Sequence, residues 1–403
     1  MILKAAWIVP VSAPPIRTGA VRIVGERIAG IIQTNEAIPV DEPVTDLGPA
    51  ILTPGLVNSH THLELTGYAG KLAPGPLWDW LLALIDLRAR PGQIEREQKG
   101  VCDGAWQSLQ AGVTCVGDIS RRNLNWQVLK TVPIRKVCFV ELLSIADQPP
   151  RNLPELRQAI EEIEEDPLLT AGISPHAPYT VPPEQIRDAF ALAGELDRPW
   201  CAHWAETAEE CAYLRGDTEA LPRFLLVLMA AHGMRSPRLT PMELLQRCSH
   251  DVRPGALAHF NYAEPTDAEQ LAAAGHTVVY CPRAHHFFGH TAHPYRRFIE
   301  ANAPVAIGTD SAASNENLAL LEELRFLRRE TPDPPSPATL WRMATIDAAR
   351  ALGLAEQIGS IEVGKQADLA AFPYEEDPAD PLTALIERSP RPVGVWVAGK
   401  RVI

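Results

Sequence analysis

No extended run of Lys or Arg occurs in this 403-residue sequence, whose 50 acidic residues outnumber 37 basic ones for a formal net charge of -13. That balance argues against nucleic acid and an anionic membrane as partners and leaves an acidic surface. No C-x-x-C pair occurs among the seven scattered cysteines, which therefore read as reduced core thiols of a cytoplasmic protein. No stretch reaches the roughly 18 apolar residues of a membrane span. The apolar opening from Met1 to Pro10 carries a Lys and an early Pro, unlike a secretory leader. Internal repeats and low-complexity segments are also missing.

What is present is ordinary globular composition, 46% hydrophobic and 22% charged. The length suits one parallel barrel plus a smaller domain. Both ends read as short strands between Pro and Gly turns: Leu3 to Val9, Ala20 to Val24 and Arg27 to Gln33, then Ala367 to Phe372 and Val393 to Ala398. Chain ends commonly lie together, so residues 1–50 and 361–403 are expected to build a small β-sandwich domain. In between, apolar runs alternate with amphipathic segments. The runs are Ala50 to Asn58, Val113 to Ile119, Ile134 to Leu142, Leu169 to Ser174, Trp200 to Trp204, Ala256 to Phe260, Thr277 to Cys281 and Pro304 to Gly308. The helical segments include Ile94 to Leu109, Pro183 to Ala193, Asp267 to Ala274, Asn315 to Arg329 and Pro337 to Leu352. Eight strand–helix pairs point to an α/β fold, a (β/α)8 TIM-like barrel over residues 51–360.

Chemistry in such a barrel sits where strands end. The first run ends in His60 and His62, which share one side of an extended strand and supply half of a metal coordination sphere. Other runs end at His176, at His203 followed by Glu206, at His259, and at Asp310. Unpaired polar groups are costly there, so packing alone does not explain five such ends.

The segment Pro54-Gly-Leu-Val-Asn-Ser-His-Thr-His62, with His176, His203, His259 and Asp310 in order, resembles the amidohydrolase superfamily, in particular its mononuclear deaminase branch. Gly364-Lys-Gln-Ala-Asp-Leu369, where the chain re-enters the small domain, belongs to the same resemblance. The resemblance implies a metal held by His60, His62, His203 and Asp310. Two-metal relatives carry a bridging Lys at the end of strand 4, where this chain has His176, and Lys136 begins strand 3. One divalent ion is therefore expected, with Zn2+ favoured and Fe2+ also suited to imidazole. Such an ion makes water nucleophilic at neutral pH. By the same resemblance Glu206 shuttles a proton to a ring nitrogen, His259 orients the nucleophile, and Asp310 accepts its proton. The expected reaction is hydrolytic deamination of an amino-substituted heterocycle. The zinc deaminases with a P-C-x-x-C signature are excluded, since none occurs.

For substrate, Trp78-Asp-Trp80 is similar to the ribose-holding segment of nucleoside-deaminating relatives, placing Asp79 and Trp80 with His176 in the binding site. His60-Thr-His-Leu-Glu-Leu65, Cys281-Pro-Arg283 and Thr309-Asp-Ser-Ala-Ala-Ser-Asn315 are similar to aminodeoxyfutalosine deaminases of menaquinone biosynthesis, beside S-adenosylhomocysteine and adenosine-type deaminases. The implied substrate is a 6-aminopurine nucleoside carrying a benzoate. Arg283 either pairs that carboxylate or bonds loop carbonyls as a structural Arg. The chain departs from adenosine-type Cys-Pro-x-Ser-Asn at Ala284 and His285, and His285-His-Phe-Phe-Gly-His290 is expected to pack as a loop on the pocket. The alternatives are a pyrimidine, guanine or triazine deaminase or a chlorohydrolase of the same superfamily and, more distantly, a non-catalytic barrel scaffold. A homo-oligomer is compatible with the sequence, which does not set the oligomeric state.

Overall fold

In a computed structural model that describes residues 1–33, 36, 39, 41–146, 148–375 and 379–403, both chain ends enter one eight-stranded sheet. Its order is Lys400–Arg401, Gly394–Val397, Leu369–Pro373, Ala50–Pro54, Ile2–Ile8, Ile16–Val24 and Arg27–Ile32, with Val44–Asp46 also pairing Ile2–Ile8. Along Ile2–Ile8 and Ile16–Val24 buried residues such as Ile2, Ile8, Val21 and Ile23 are mixed with more open ones, as in a half-buried sheet. The turn joining the last two strands places Ala398 and Gly399 at φ 48° and 73°. Both lie in the left-handed region that tight hairpins need. A Cβ on Gly399 would stand 2.5 Å from the Gly25 carbonyl oxygen, so two hairpin turns meet where only glycine fits.

The middle of the chain forms two parallel four-stranded sheets. The first four strands are Leu56–Thr61, Val113–Ser120, Arg135–Leu142 and Leu169–Pro175. The fifth to eighth are Cys201–Trp204, Ala256–His259, Thr277–Tyr280 and Val305–Ile307. All are buried on both faces, which is why they read as near-continuous apolar runs. Isolated parallel bridges join Thr61 to Asp310 and Ile173 to Trp200, linking the outer strands of the two sheets on both sides. Val57, Cys115, Val137, Cys201, Val279 and Ala306 share a core with Ala348 and Leu352, and the Val57 N–H donates to the Ala344 carbonyl. Among the described residues no helix is long and apolar enough to cross a membrane. All seven cysteines are unpaired.

Three elements differ from expectation. The run from Ala50 to Asn58 is two strands, because Gly55 breaks it: its N–H donates to the Asp368 carbonyl, and a Cβ there would lie 2.0 Å from Thr114 Oγ1. Ala50–Pro54 goes to the terminal sheet and Leu56–Thr61 to the parallel set. The helix expected from Asn315 starts at Leu320, because the Asn315 amide donates to the Thr309 carbonyl and to Glu323, holding an irregular loop. The segment from Pro337 to Leu352 is two helices, Pro337–Met343 and Ile346–Ala351, parted at Thr345 with φ -134° and ψ -94°. The Thr345 hydroxyl donates back to the Trp341 carbonyl there.

A buried ion pair ties the third parallel strand to the terminal sheet. Arg135 Nε and Nη2 donate to the two carboxylate oxygens of Asp368 at 2.7 and 3.1 Å, and the Ala398 N–H donates to the same carboxylate. Removing one partner strands a charge in a dry site. Arg135→Ala is therefore expected to cost about 3–5 kcal/mol of stability, read by chemical denaturation; a loss below about 1 kcal/mol contradicts this account.

Candidate metal and active site

The parallel strands deliver polar residues to one rim because each run ends where its backbone turns away. Four of the turning residues are not glycine yet have positive φ: Ala205 at 48°, His259 at 72°, Phe260 at 47° and Asp310 at 55°. Each costs about 1 kcal/mol or more and persists only where the surroundings over-determine it. The Glu210 carboxylate, fully buried, accepts the N–H groups of Ala205 and Glu206 at 2.9 Å each. Asn261 donates to the Glu206 carbonyl, fixing the other side of that loop.

The ligand atoms of His60, His62 and His203 lie within 4.8 Å of one another. His62 Nε2 is 3.3 Å from His203 Nε2, and Asp310 Oδ1 is 3.7 Å from His62 Nε2 and 4.0 Å from His60 Nε2. His60 is 1% exposed, yet neither ring nitrogen has a hydrogen-bond partner. Burial holds all three imidazoles below their ordinary pKa, His203 down to about 3, so they are neutral and carry free lone pairs. Burial also raises the Asp310 carboxyl to about 7 although Ser314 Oγ donates to it at 3.0 Å. Three neutral imidazoles and a carboxylate converging in this way are a donor set for a divalent cation. The residues fit that ion.

Around this cluster, His259 Nε2 lies 3.5 Å from Glu206 Oε1, and burial, with Asp310 and Glu210 nearby, raises the Glu206 carboxyl well above its usual range. His176 supplies its carbonyl to the His203 N–H at 2.8 Å and to His203 Nδ1 at 3.2 Å, leaving Nε2 of that ring facing His62. The His176 ring is held by Thr180 Oγ1 at 2.7 Å. His62, His176, Thr180, His203, Glu206, His259 and Asp310 border a cavity of about 230 Å³ that is also lined by the apolar Leu81, Leu84, Phe224, Leu225 and Phe288. Trp80 also lines it, its indole N–H donating to the Ala313 carbonyl.

Two expected binding residues stand elsewhere. Asp79 is exposed on the helix Leu77–Arg88 and is absent from the cavity wall, since its neighbours Trp78 and Trp80 take the inward positions. Arg283 faces another groove; its guanidinium donates to Glu323 at 2.7 Å and to the Asn317 carbonyl at 3.0 Å, so it braces the loop before the helix Leu320–Glu330. The structural alternative left open for Arg283 is the one its contacts support. The first half of the His-rich stretch, His285 to Phe287, ends a short helix, Pro282–Phe287, and among the described residues the stretch joins no metal-holding group. Sequence reasoning missed Glu141, Glu64, Arg88 and Arg121, which line the cavity. Glu141 had a visible sign, since it stands at the end of the third apolar run.

A model of the Amidohydrolase family matches residues 51–402. A 5-methylthioadenosine/S-adenosylhomocysteine deaminase of Desulforudis audaxviator is 29% identical over 392 residues, covering 92% of this chain and 84% of the relative. The crystal structure of a zinc-bound adenosine deaminase from Xanthomonas campestris superposes with a TM-score of 0.84 at 27% identity, covering 99% of this chain and 92% of that one. Helicobacter pylori aminofutalosine deaminase in complex with methylthio-coformycin superposes with a TM-score of 0.90 over all of both chains; at 22% identity that likeness is one of fold.

Proposed function

Since the chain belongs to the amidohydrolase family, we propose that it is a metal-dependent hydrolase that deaminates adenine-type nucleosides, releasing ammonia. The observation that carries this is the convergence of His60, His62, His203 and Asp310, the last three lining one cavity with Glu206 and His259. The deaminase and zinc-bound relatives support it. In this reading the two parallel sheets close through their bridging ends into a (β/α)8 barrel spanning residues 51–360, and the terminal sheet folds as a small sandwich from 1–50 and 361–403. One divalent ion, Zn2+ by its donor set, is held by His60, His62, His203 and Asp310, and when bound it supplies water activated as a nucleophile.

The chain's own residues do the rest. Water adds to the ring carbon bearing the amine, the carbon–nitrogen bond breaks, and ring carbonyl plus ammonia result. Addition requires a proton on the adjacent ring nitrogen. Glu206, kept protonated by burial, donates it; Asp310 takes the proton that water releases and passes it to the departing amine, and the new hydroxyl returns its proton to Glu206 as the carbonyl forms. His259 is neutral and fixes the attacking oxygen's orientation. His176 and Trp80 border the space for the nucleoside, and the apolar part of the lining suits its 5′ substituent. Aminodeoxyfutalosine is the specific substrate expected within this class.

Metal-replete protein is expected to release ammonia from adenosine, 5′-methylthioadenosine or aminodeoxyfutalosine, with absorbance moving from the adenine to the hypoxanthine band. Silence toward every 6-aminopurine nucleoside, with chloride released from a chlorotriazine, would replace this reading with the chlorohydrolase one.

A further inference from the structure

Two arginines reach the cavity wall, Arg88 and Arg121, and only the first is engaged. Arg88 Nε donates to Glu97 at 2.8 Å and its Nη2 donates to Glu64, so buried acids hold that guanidinium on two sides. Arg121 is the first residue past the second parallel strand, and among the described residues its guanidinium makes no hydrogen bond and no ion pair. Glu141, also on the wall, attracts Arg121 without closing on it. The next residue, Arg122, lines a different groove and donates to Gln93 and Gln148. One cation is thus left for the cavity.

A guanidinium offers five N–H donors and no acceptor, and it keeps its charge at any working pH. Solvent satisfies such a group only while it has access. A ligand that fills the cavity takes that access away, and a neutral one would seal an unpaired charge among Leu81, Leu84, Phe224, Leu225 and Phe288. An anion compensates the charge, and a carboxylate can also accept two parallel N–H bonds from the fork. On an adenine-type nucleoside the base is occupied by the reaction and the sugar carries neutral hydroxyls, so the anion belongs on the 5′ substituent. The leucines and phenylalanines of the lining fit an apolar body between ribose and anion, which a phosphate set directly on the 5′ oxygen lacks.

We propose that Arg121 is the specificity residue that receives a carboxylate at the end of an apolar 5′ substituent, so that this cavity selects acidic nucleosides over neutral ones. The proposal rests on the nucleoside deaminase reading and deepens it. It gives the carboxylate a partner that Arg283, committed to Glu323, does not supply.

The test measures ammonia release from aminodeoxyfutalosine and from the neutral amide of its benzoate, in wild type, Arg121→Gln and Arg121→Lys, with bound metal and melting temperature recorded for each protein. Wild type is expected to favour the acid about 10- to 100-fold in kcat/KM, chiefly through KM, as for hydrogen bonds to a charged group. Arg121→Gln should keep its metal and lose most of that preference. Arg121→Lys, which keeps the charge without the fork, should retain part of it. If Arg121 only balances Glu141, both nucleosides suffer alike in Arg121→Gln and the preference stays; that result overturns the proposal. Equal use of acid and amide by wild type overturns it without any variant, as does faster use of 5′-methylthioadenosine or adenosine 5′-monophosphate than of the acid, and each leaves the deaminase reading standing. No ammonia from adenosine, 5′-methylthioadenosine or aminodeoxyfutalosine removes the nucleoside reading and this proposal with it.

Discussion

His203→Ala is expected to yield folded protein that purifies without its metal and without measurable turnover. The ring's orientation is over-determined: the His176 carbonyl takes both the His203 backbone N–H and Nδ1, so Nε2 has one direction left, toward His62. Removing it takes one of three clustered imidazoles and leaves His60 and His62 with Asp310, a set one ligand short. Changes to residues that merely orient ligands typically cost about 10- to 100-fold in metal affinity, so loss of a ligand should exceed that. Elemental analysis of purified variant against wild type measures it, and chelator-treated wild type should show the same loss of turnover. A variant that retains a full equivalent of metal would mean that His203 does not hold the ion.

The rim was legible because strand periodicity is simple. Each apolar run had to end somewhere, and His60, His203, His259 and Asp310 stand where the runs stop. What stayed hidden depends on contacts distant in sequence or on backbone that no composition reveals. The left-handed conformation at Ala205, His259, Phe260 and Asp310 has no glycine to announce it. Glu210, four residues after Glu206, reads as one more acid at the start of a surface helix, yet it is buried and clamps the backbone N–H groups of Ala205 and Glu206. Asp79 stands off the cavity wall for a geometric reason: it is exposed on the helix Leu77–Arg88 between two buried tryptophans, Trp78 packed against Tyr179 and Trp80 on the cavity wall against Phe288. Arg283 was drawn elsewhere by Glu323, forty positions away, which a local motif does not show. Glu141 is different, since its place at a strand end was open to the same argument that found the histidines.

Glu206→Gln is expected to keep the metal and the fold while lowering kcat by about 100- to 10,000-fold, the usual worth of a positioned proton donor. The loop that carries Glu206 is held through backbone groups, by Glu210 and by Asn261, so exchanging the side chain for its isostere leaves those bonds in place. The amide fills the same volume 5% exposed to solvent and can still approach His259, but it has no acidic proton to transfer. The loss should therefore fall on kcat rather than on metal content or KM. Direction in pH follows from the same group. Burial holds the Glu206 carboxyl protonated well above its ordinary range, so wild-type turnover that depends on this acid declines as pH rises through the elevated pKa, and the variant should lack that limb. Steady-state rates across pH on both proteins, alongside metal analysis, separate the cases: unaltered kcat in Glu206→Gln removes Glu206 from proton transfer, whereas lost turnover accompanied by lost metal makes it a structural support of the His203 side of the site.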